Sequence, residues 1–363
     1  MKEFYKKVKV ELEVLTPVHI GSGERLSNLE YIQEGRRLKV YPFDYLINLI
    51  ISEPPSRRDN LLLIIKSGIK NLNTLFREYQ LSYKPKYEIP FEGSLLTSQV
   101  ELFIKNPSGP YIPGSELKGA IRTAFLGTLL MQKEELYADL QNALKKTLDE
   151  QNKREIEKKL KKDMDEKVEG FLRPKGSEGD VRRDLLKLLL IQDVQMSYQD
   201  LVCIEVSMVG SKRTIYPCEA LKPGTKAEFD IVRLTDMLKV VEKATKKPPY
   251  ENLLKDLREA VNNFYSLVIE QEIEYFKKEG IRETVKAFEE IKQRANEGML
   301  LRIGKHQGYI STTIMAVFRK KDRELFERVF ELSAPQVREE KPKTRRITFD
   351  GKPMGWVLLK FAV

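Results

Sequence analysis

Two cysteines, two histidines and one tryptophan are all that 363 residues contain of those three types. Cys203 and Cys218 form no CxxC pair and have no histidine near them in sequence. That leaves no legible zinc site and no disulfide framework, and a reduced, cytoplasmic setting is the simplest expectation. Long apolar runs are missing as well. Stretches such as LLLII at 61–65 and LLLI at 188–191 are far too short to cross a bilayer. The first residues, MKEFYKKVKVELEV, alternate like a strand and contain no signal-peptide hydrophobic block. A nucleotide-binding P-loop is also absent. Gly114 and Gly119 have its spacing, but Ala120 and Ile121 stand where the lysine and hydroxyl would be needed. Nucleotide hydrolysis, hydride chemistry and membrane spanning thus lack sequence support, and neither a cofactor nor a metal is expected.

Basic charge is what the chain has in excess. Lys and Arg number 64 against 54 Asp and Glu, a net charge of +10. Such a balance suits a partner rich in phosphates, because cations supply the salt-sensitive, sequence-independent part of nucleic-acid affinity. The densest local signal is YIPGSELKGAIRTAFLG at 111–127. Pro113-Gly114 reads as a turn, Ser115 as a cap for the helix that follows, and Lys118 and Arg122 stand one turn apart on it. Leu117, Ile121, Ala124 and Phe125 form the opposite, apolar stripe. Gly119 leaves the helix surface bare for a close backbone approach. A glycine turn running into a helix N-terminus, with two cations just inside, is able to hold a phosphate. The competing reading is an ordinary strand–turn–helix junction with two solvated cations.

The patterning elsewhere is that of mixed strands and helices. Residues 5–18 alternate as a strand, and LEYIQ pairs with RRLKVYP across Glu34-Gly35 as a hairpin. Short helices are predicted at 43–52, 58–67 and 71–80, the first two parted by Pro54-Pro55. VELFIK at 100–105 feeds the glycine turn as a strand. From Lys133 to Glu169 ten basic residues balance eleven acidic ones, so 132–170 reads as a charge-laced, solvated helical stretch. LRPKGSEGD at 172–180 reads as a loop. Strands then follow at 201–209, 213–219 and 226–233, and helices at about 249–279 and 281–297, interrupted near Gly280. MLLRIGKHQGYISTTIMAVF at 299–318 repeats the strand, cationic glycine turn and apolar helix of the first half. Arg302, Gly304, Lys305, His306 and Gln307 cluster on that turn and mix charge with groups able to reach a base edge or a 2′-hydroxyl. Tyr309 and Trp356 could stack on bases, although a core role fits each better.

The string PGSELKGAIRTAF resembles the signature of the RAMP superfamily, the RNA-binding proteins of CRISPR effector complexes. LTPVHIGSGE at 15–24 is similar to the first-strand-to-glycine-loop segment of the same family. Together they most resemble the subunits that cap the 3′ end of the guide RNA in type III-A (Csm) complexes. A type III-B counterpart is the alternative within the superfamily. The resemblance implies an α+β fold of two ferredoxin-like (RNA-recognition-motif-like) domains with a helical insertion. The expected boundaries are 1–198, with the charged insertion at about 132–180, and 199–363. It implies RNA-facing residues His19, Gly21, Ser22 and Gly23 in the first segment. Gly114, Ser115, Lys118 and Arg122 follow in the second, with Arg302, Gly304, Lys305, His306 and Gln307 on the later turn. The implied partners are guide RNA (crRNA), other RAMP and small helical subunits of the Csm complex, and host nucleases recruited in trans. No membrane is expected among them, and no catalytic residue.

Catalysis has one foothold. His19 and His306 both sit beside glycines, and metal-independent RNA cleavage needs an acid–base pair titrating in the histidine range. A repeat-cleaving endoribonuclease is therefore the alternative function, and a scaffold whose charge serves protein neighbours is a third. Glu24 and Glu30, without aspartate partners, are too few for a metal-dependent nuclease site.

Overall fold

The computed structural model describes residues 6–68, 71–94, 99–149, 184–209, 214–233, 257–333 and 345–361, with isolated positions 156, 158 and 172. Its strands in chain order are β1 (Lys6–Val14), β2 (Gly21–Leu26), β3 (Tyr31–Glu34), β4 (Arg37–Val40), β5 (Tyr87–Glu92), β6 (Val100–Phe103), β7 (Lys105–Asn106), β8 (Gly109–Ile112), β9 (Leu189–Ile191), β10 (Val194–Gln195), β11 (Leu201–Met208), β12 (Thr214–Leu221), β13 (Lys226–Arg233), β14 (Met299–Arg302), β15 (Arg346–Thr348) and β16 (Trp356–Phe361). Ten helices accompany them among the described residues. They are α1 (Phe43–Ile51), α2 (Pro55–Lys66), α3 (Leu72–Glu78), α4 (Gly114–Gln132), α5 (Glu134–Leu148), α6 (Leu257–Lys278), α7 (Arg282–Arg294), α8 (Tyr309–Thr312), α9 (Met315–Lys321) and α10 (Arg323–Ser333).

Alternation at the N-terminus decides the first sheet. β1 buries Val10, Leu12 and Val14 on one face and turns Lys9 and Glu11 the other way. It lies in the middle of the order β14-β16-β1-β13-β9, antiparallel to both neighbours. The polar face is laced by cross-strand ion pairs, Lys7 with Asp230, Lys226 with Glu11 and Lys360 with Glu13. The chain runs β1, α4, β9, β13, α6, β14, β16 through this layer, and α4 packs against α6. Gly127 permits that approach, since a Cβ there would come within 2.2 Å of the Phe264 ring. Gly119, the glycine expected to do this, faces open space instead. The predicted stripe of Leu117, Ile121, Ala124 and Phe125 is buried, and Trp356 lies fully inside beside Tyr265 and Phe288.

The second sheet runs β2-β6-β12-β11-β5-β4-β3, with β15 also paired to β11, and β10-β8-β7 form a small third sheet. Both large sheets take strands from either side of residue 198, so the expected boundary there divides no sheet from another. Cys203 lies opposite Glu219 and Cys218 opposite Ile204, so the two thiols point to opposite faces and both are free. The β3–β4 hairpin and α1, α2 and α3 enclose a satellite core of Ile32, Tyr41, Leu46, Ile50, Leu61, Leu72, Leu75 and Leu81. α2 opens with Pro55 at its first position, where the missing N–H costs nothing. α5 departs from the solvated reading: Tyr137, Leu140, Leu144 and Leu148 are buried along one face. Apart from three isolated positions, the remainder of the 132–180 insertion after Asp149 lies outside the described residues. Among the described residues no helix is long and apolar enough to cross a membrane.

Candidate nucleic-acid interface

Three glycine-bearing segments far apart in sequence meet at one end of the first sheet. The turn Ile303–Gly308 follows β14, and the Lys305 N–H donates to the His19 carbonyl at 2.8 Å. Gly355, just before β16, donates to the Pro17 carbonyl at 2.8 Å and accepts from Ile303 N–H at 2.8 Å. Thr16 of the LTP string accepts from the Trp356 N–H at 3.0 Å. Gly304 has φ +80°, and a Cβ on it would lie 2.3 Å from the His19 carbonyl oxygen. Only glycine allows the two loops to touch this closely. The signature helix joins them through Glu116, whose carboxylate accepts from Gly304 N–H at 3.2 Å. The two RNA-facing turns expected from sequence are therefore one structural unit.

Beneath this unit lies a carboxylate ringed by bases. Glu101 on β6 accepts from Lys305 Nζ at 2.9 and 2.7 Å and from Arg25 at 3.1 Å. His19 is fully buried, and its Nδ1 donates to the Glu219 carbonyl at 2.6 Å. That bond aims Nε2 at the Glu101 carboxylate, 3.5 Å away. His306 Nε2 stands 4.0 Å from the same oxygen, and the two imidazoles stack with centroids 5.9 Å apart. His19 beside it, and then Lys305, outweigh the cost of burial and hold the Glu101 carboxyl well below the usual carboxylate range. A second buried carboxylate, Glu219, accepts from the Tyr87 hydroxyl at 2.6 Å, from Phe103 N–H at 2.9 Å and from Lys105. Burial and that carboxylate push the Tyr87 hydroxyl far up.

His306 adopts φ +73°, a backbone state that few residues other than glycine, asparagine and aspartate take readily. Burial, followed by His19, Lys305 and Arg346, pushes its imidazole down to about 3, while Glu101 pulls the other way. An unfolded chain takes up this proton near 6.5. The stability tied to His306 is thus complete above that pH and is lost as pH falls towards 3. His306→Asn, which tolerates the same backbone, should flatten the fall of the urea midpoint between about pH 6.5 and 4. An unchanged slope would mean that His306 contributes nothing to it.

The remaining predicted residues separate into exposed and enclosed. Gly21, Ser22 and Gly23 are exposed along β2, an edge strand, and Gly23 has φ +88° with open space around it. Lys305 and Arg25 show 51% and 40% of their side chains to solvent. The signature helix differs from expectation. It begins at Gly114 after Pro113, and no side chain caps it, so Ser115 lies inside the first turn. The Gly114 N–H is taken by the Asp193 carboxylate at 2.8 Å. Lys118 donates to the Leu189 carbonyl at 2.9 Å, and Arg122 pairs with Asp184. Both cations therefore clasp the helix to β9 and the turn before it, because the acidic and carbonyl partners come from a segment some seventy residues away. Arg302 is 2% exposed. It donates to the Met354 carbonyl and the Ser311 hydroxyl and lies over the Trp356 ring. Gln307 is buried and donates to the Gly304 carbonyl, bracing the turn from within.

Glu101, Glu219, Arg25 and Lys105 belong to the site and were not anticipated. Their one sequence signal is a glutamate at a buried position of a strand that would otherwise be apolar on that side, as in VELF. A buried carboxylate needs cationic partners, and nothing local reveals which they are.

The fold and these glycine segments define a protein of the RAMP superfamily, whose model matches residues 11–306, and the chain belongs to that superfamily. Among curated relatives it is similar to the CRISPR system Cms protein Csm5 of Methanocaldococcus jannaschii, 26% identical over 339 residues covering 87% of this chain and 74% of that protein. It is also similar to Csm5 of Streptococcus thermophilus, 30% identical over 143 residues. That match covers 35% of this chain and only 40% of the relative's length. A chain in the cryo-EM structure of a Csm–crRNA–target RNA ternary complex superposes with a TM-score of 0.75 at 24% identity, covering 97% of this chain and 100% of that one. The crystal structure of T. onnurineus Csm5 gives 0.72 at 24% identity, with 96% and 99% covered.

Proposed function

We propose that this protein is a guide-RNA (crRNA) binding subunit of a type III-A CRISPR complex, gripping a ribose-phosphate strand without cutting it. The observation that carries the reading is the junction of the LTPVHIGSG and IGKHQG segments through Lys305 N–H and His19. Exposed glycines and the exposed Lys305 stand beside that junction. Gly21, Ser22 and Gly23 offer backbone to an extended strand, and Gly304 and Lys305 offer a cation at its flank. His19, His306, Arg302 and Gln307 are assigned to shaping the two turns. Gly114, Ser115, Lys118 and Arg122 are assigned to docking the signature helix.

In this reading the protein sits at the 3′ end of the guide beside other RAMP and small helical subunits, in the cytoplasm, with nucleases joining in trans. The likeness to Csm5 proteins supports that placement. The non-catalytic assignment rests on the enclosure of both imidazoles around Glu101, which keeps them from a substrate's 2′-hydroxyl. For the architecture we read β1, α4, β9, β13, α6 and β16 as one ferredoxin-like unit built from both halves of the chain. Its strand order supports this, and the eight-stranded sheet takes the place of the second domain.

Fluorescence anisotropy with single-stranded RNA across a salt series tests the assignment of cations. Lys305→Ala should reduce the salt slope by about 0.7, one phosphate contact on a single strand. Arg122→Ala should leave that slope unchanged and lower the thermal midpoint instead. The reverse pattern would return the phosphate contact to the signature helix. A wild-type protein that fails to bind RNA would defeat the proposed function altogether.

A further inference from the structure

The hairpin Arg345–Gly355 is fixed at both ends to the junction of the glycine turns. Arg345 packs over one end, where a Cβ on Gly308 would lie 3.0 Å from its Cγ. At the other end Gly355 bonds to Pro17 and Ile303, and the Met354 carbonyl accepts from Arg302 Nε at 2.9 Å. Between them β15 runs along β11 for about 10 Å, the length of about three stacked nucleotides. The turn that follows is tied down. Thr348 N–H donates to the Lys352 carbonyl at 3.0 Å, and Gly351 N–H donates to the Thr348 carbonyl at 2.9 Å. The Thr348 hydroxyl donates to Asp350 and accepts from Lys352 N–H at 2.9 Å. Thr284 of α7 donates to the Gly351 carbonyl. From this braced turn Phe349 projects with 78% of its surface exposed, more than any other large apolar side chain among the described residues.

A ring standing in water on a fixed backbone loses little freedom when a ligand covers it, since only two side-chain torsions remain to be ordered. Its neighbours in the turn select the ligand. Asp350, Gly351 and Lys352 continue no apolar surface from the ring, whereas the centre of a protein interface is a contiguous apolar patch. A single flat face matches a single nucleobase, and stacking on an aromatic ring tolerates any base. We propose that Phe349 is a stacking platform for one base of single-stranded RNA, held by the hairpin at a fixed distance from the glycine turns and Lys305. This rests on the RNA-binding reading above and extends it from backbone capture to a base contact. The two aromatics singled out from sequence leave that role open. Trp356 is fully buried, and Tyr309 packs edge-on against Phe330.

The experiment is anisotropy with a mixed-sequence single-stranded RNA across a salt series, comparing the full wild-type chain with Phe349→Ala, Phe349→Leu and Phe349→Trp. The alanine and leucine variants should each bind about tenfold more weakly, the loss of one stacked base. Their salt slopes should match wild type, because the ring carries no charge. Phe349→Trp should bind at least as tightly as wild type, and RNA should quench the fluorescence it adds. Wild-type affinity in a folded Phe349→Ala protein overturns the platform and leaves the RNA-binding reading intact. If that variant also fails to assemble with other subunits of the complex, the ring belongs to a protein contact. Wild-type affinity in Phe349→Leu alone overturns stacking in favour of a plain apolar contact. Absence of RNA binding by wild type overturns both readings. If Phe349→Ala does not fold, Phe349→Trp decides: quenching by RNA supports the platform, and unquenched emission overturns it.

Discussion

Replacing Glu272 with alanine should destabilise the protein by about 3–5 kcal/mol, the largest effect expected of any side-chain truncation outside the apolar core. Glu272 lies fully buried on α6, where its two oxygens accept from Arg345 Nε at 2.9 and 2.7 Å. Arg302 approaches the same carboxylate to 3.9 Å. Both guanidiniums are enclosed among rings: Arg345 stands 4.2 Å from the Tyr275 centroid, and Arg302 stands 5.3 Å from Trp356. Burial, against the pull of Glu272, lowers even Arg302 to about 10. Without the carboxylate two cations would be left in a dry interior. The consequence reaches the Ile303–Gly308 turn, since Arg302 tethers Ser311 and Met354, and Arg345 packs against Gly308. A urea titration measures the loss. Glu272→Leu combined with Arg345→Met should recover only part of it, because the apolar pair removes one of the two stranded cations while Arg302 keeps its charge. A cost below about 1 kcal/mol for the alanine variant would mean that water reaches the arginines.

Gly304→Ala should be the most damaging small substitution in the glycine turns joined at His19. The added methyl would meet the His19 carbonyl at 2.3 Å, a backbone atom that has no rotamer to yield. The residue would also have to keep φ +80°, which L-residues avoid. Strain and overpacking together come to roughly 2–5 kcal/mol if the contact is held. The chain has a less costly response, which is to part the two loops. That breaks the Lys305 N–H bond to His19 and moves Lys305 away from Gly21–Gly23. The expected result is a lower thermal midpoint together with weaker RNA binding. Gly119→Ala serves as the contrast, since that position has empty space and sits mid-helix, where alanine is favoured. Equal behaviour of the two variants would remove the close approach as the reason for glycine at 304.

Local patterns carried much of the fold. The alternation of β1, the hairpin across Glu34-Gly35 and the apolar stripe of α4 are each written within a dozen residues, and each is found where expected. The helix break at Gly280 has the same character: its φ of +71° is what ends α6. Partner identity was less legible. Lys118 and Arg122 have the look of a phosphate pair in sequence, yet Asp184 and the Leu189 carbonyl, seventy residues on, claim them. Gly119 and Gly127 are equally bare in sequence, and only the position of Phe264 tells which one a second helix crosses.

The sequence by itself determined the superfamily, the α+β mixture, the basic balance and the two glycine turns, because those depend on residue type and spacing along one segment. Tertiary structure alone decided that the turns are one unit, that His19 and His306 face a common carboxylate, and that Lys305 rather than Lys118 stands in solvent. The reason is physical. A cation's role depends on which oxygen lies within about 3 Å of it, and that oxygen is delivered by strand order, which no local pattern encodes.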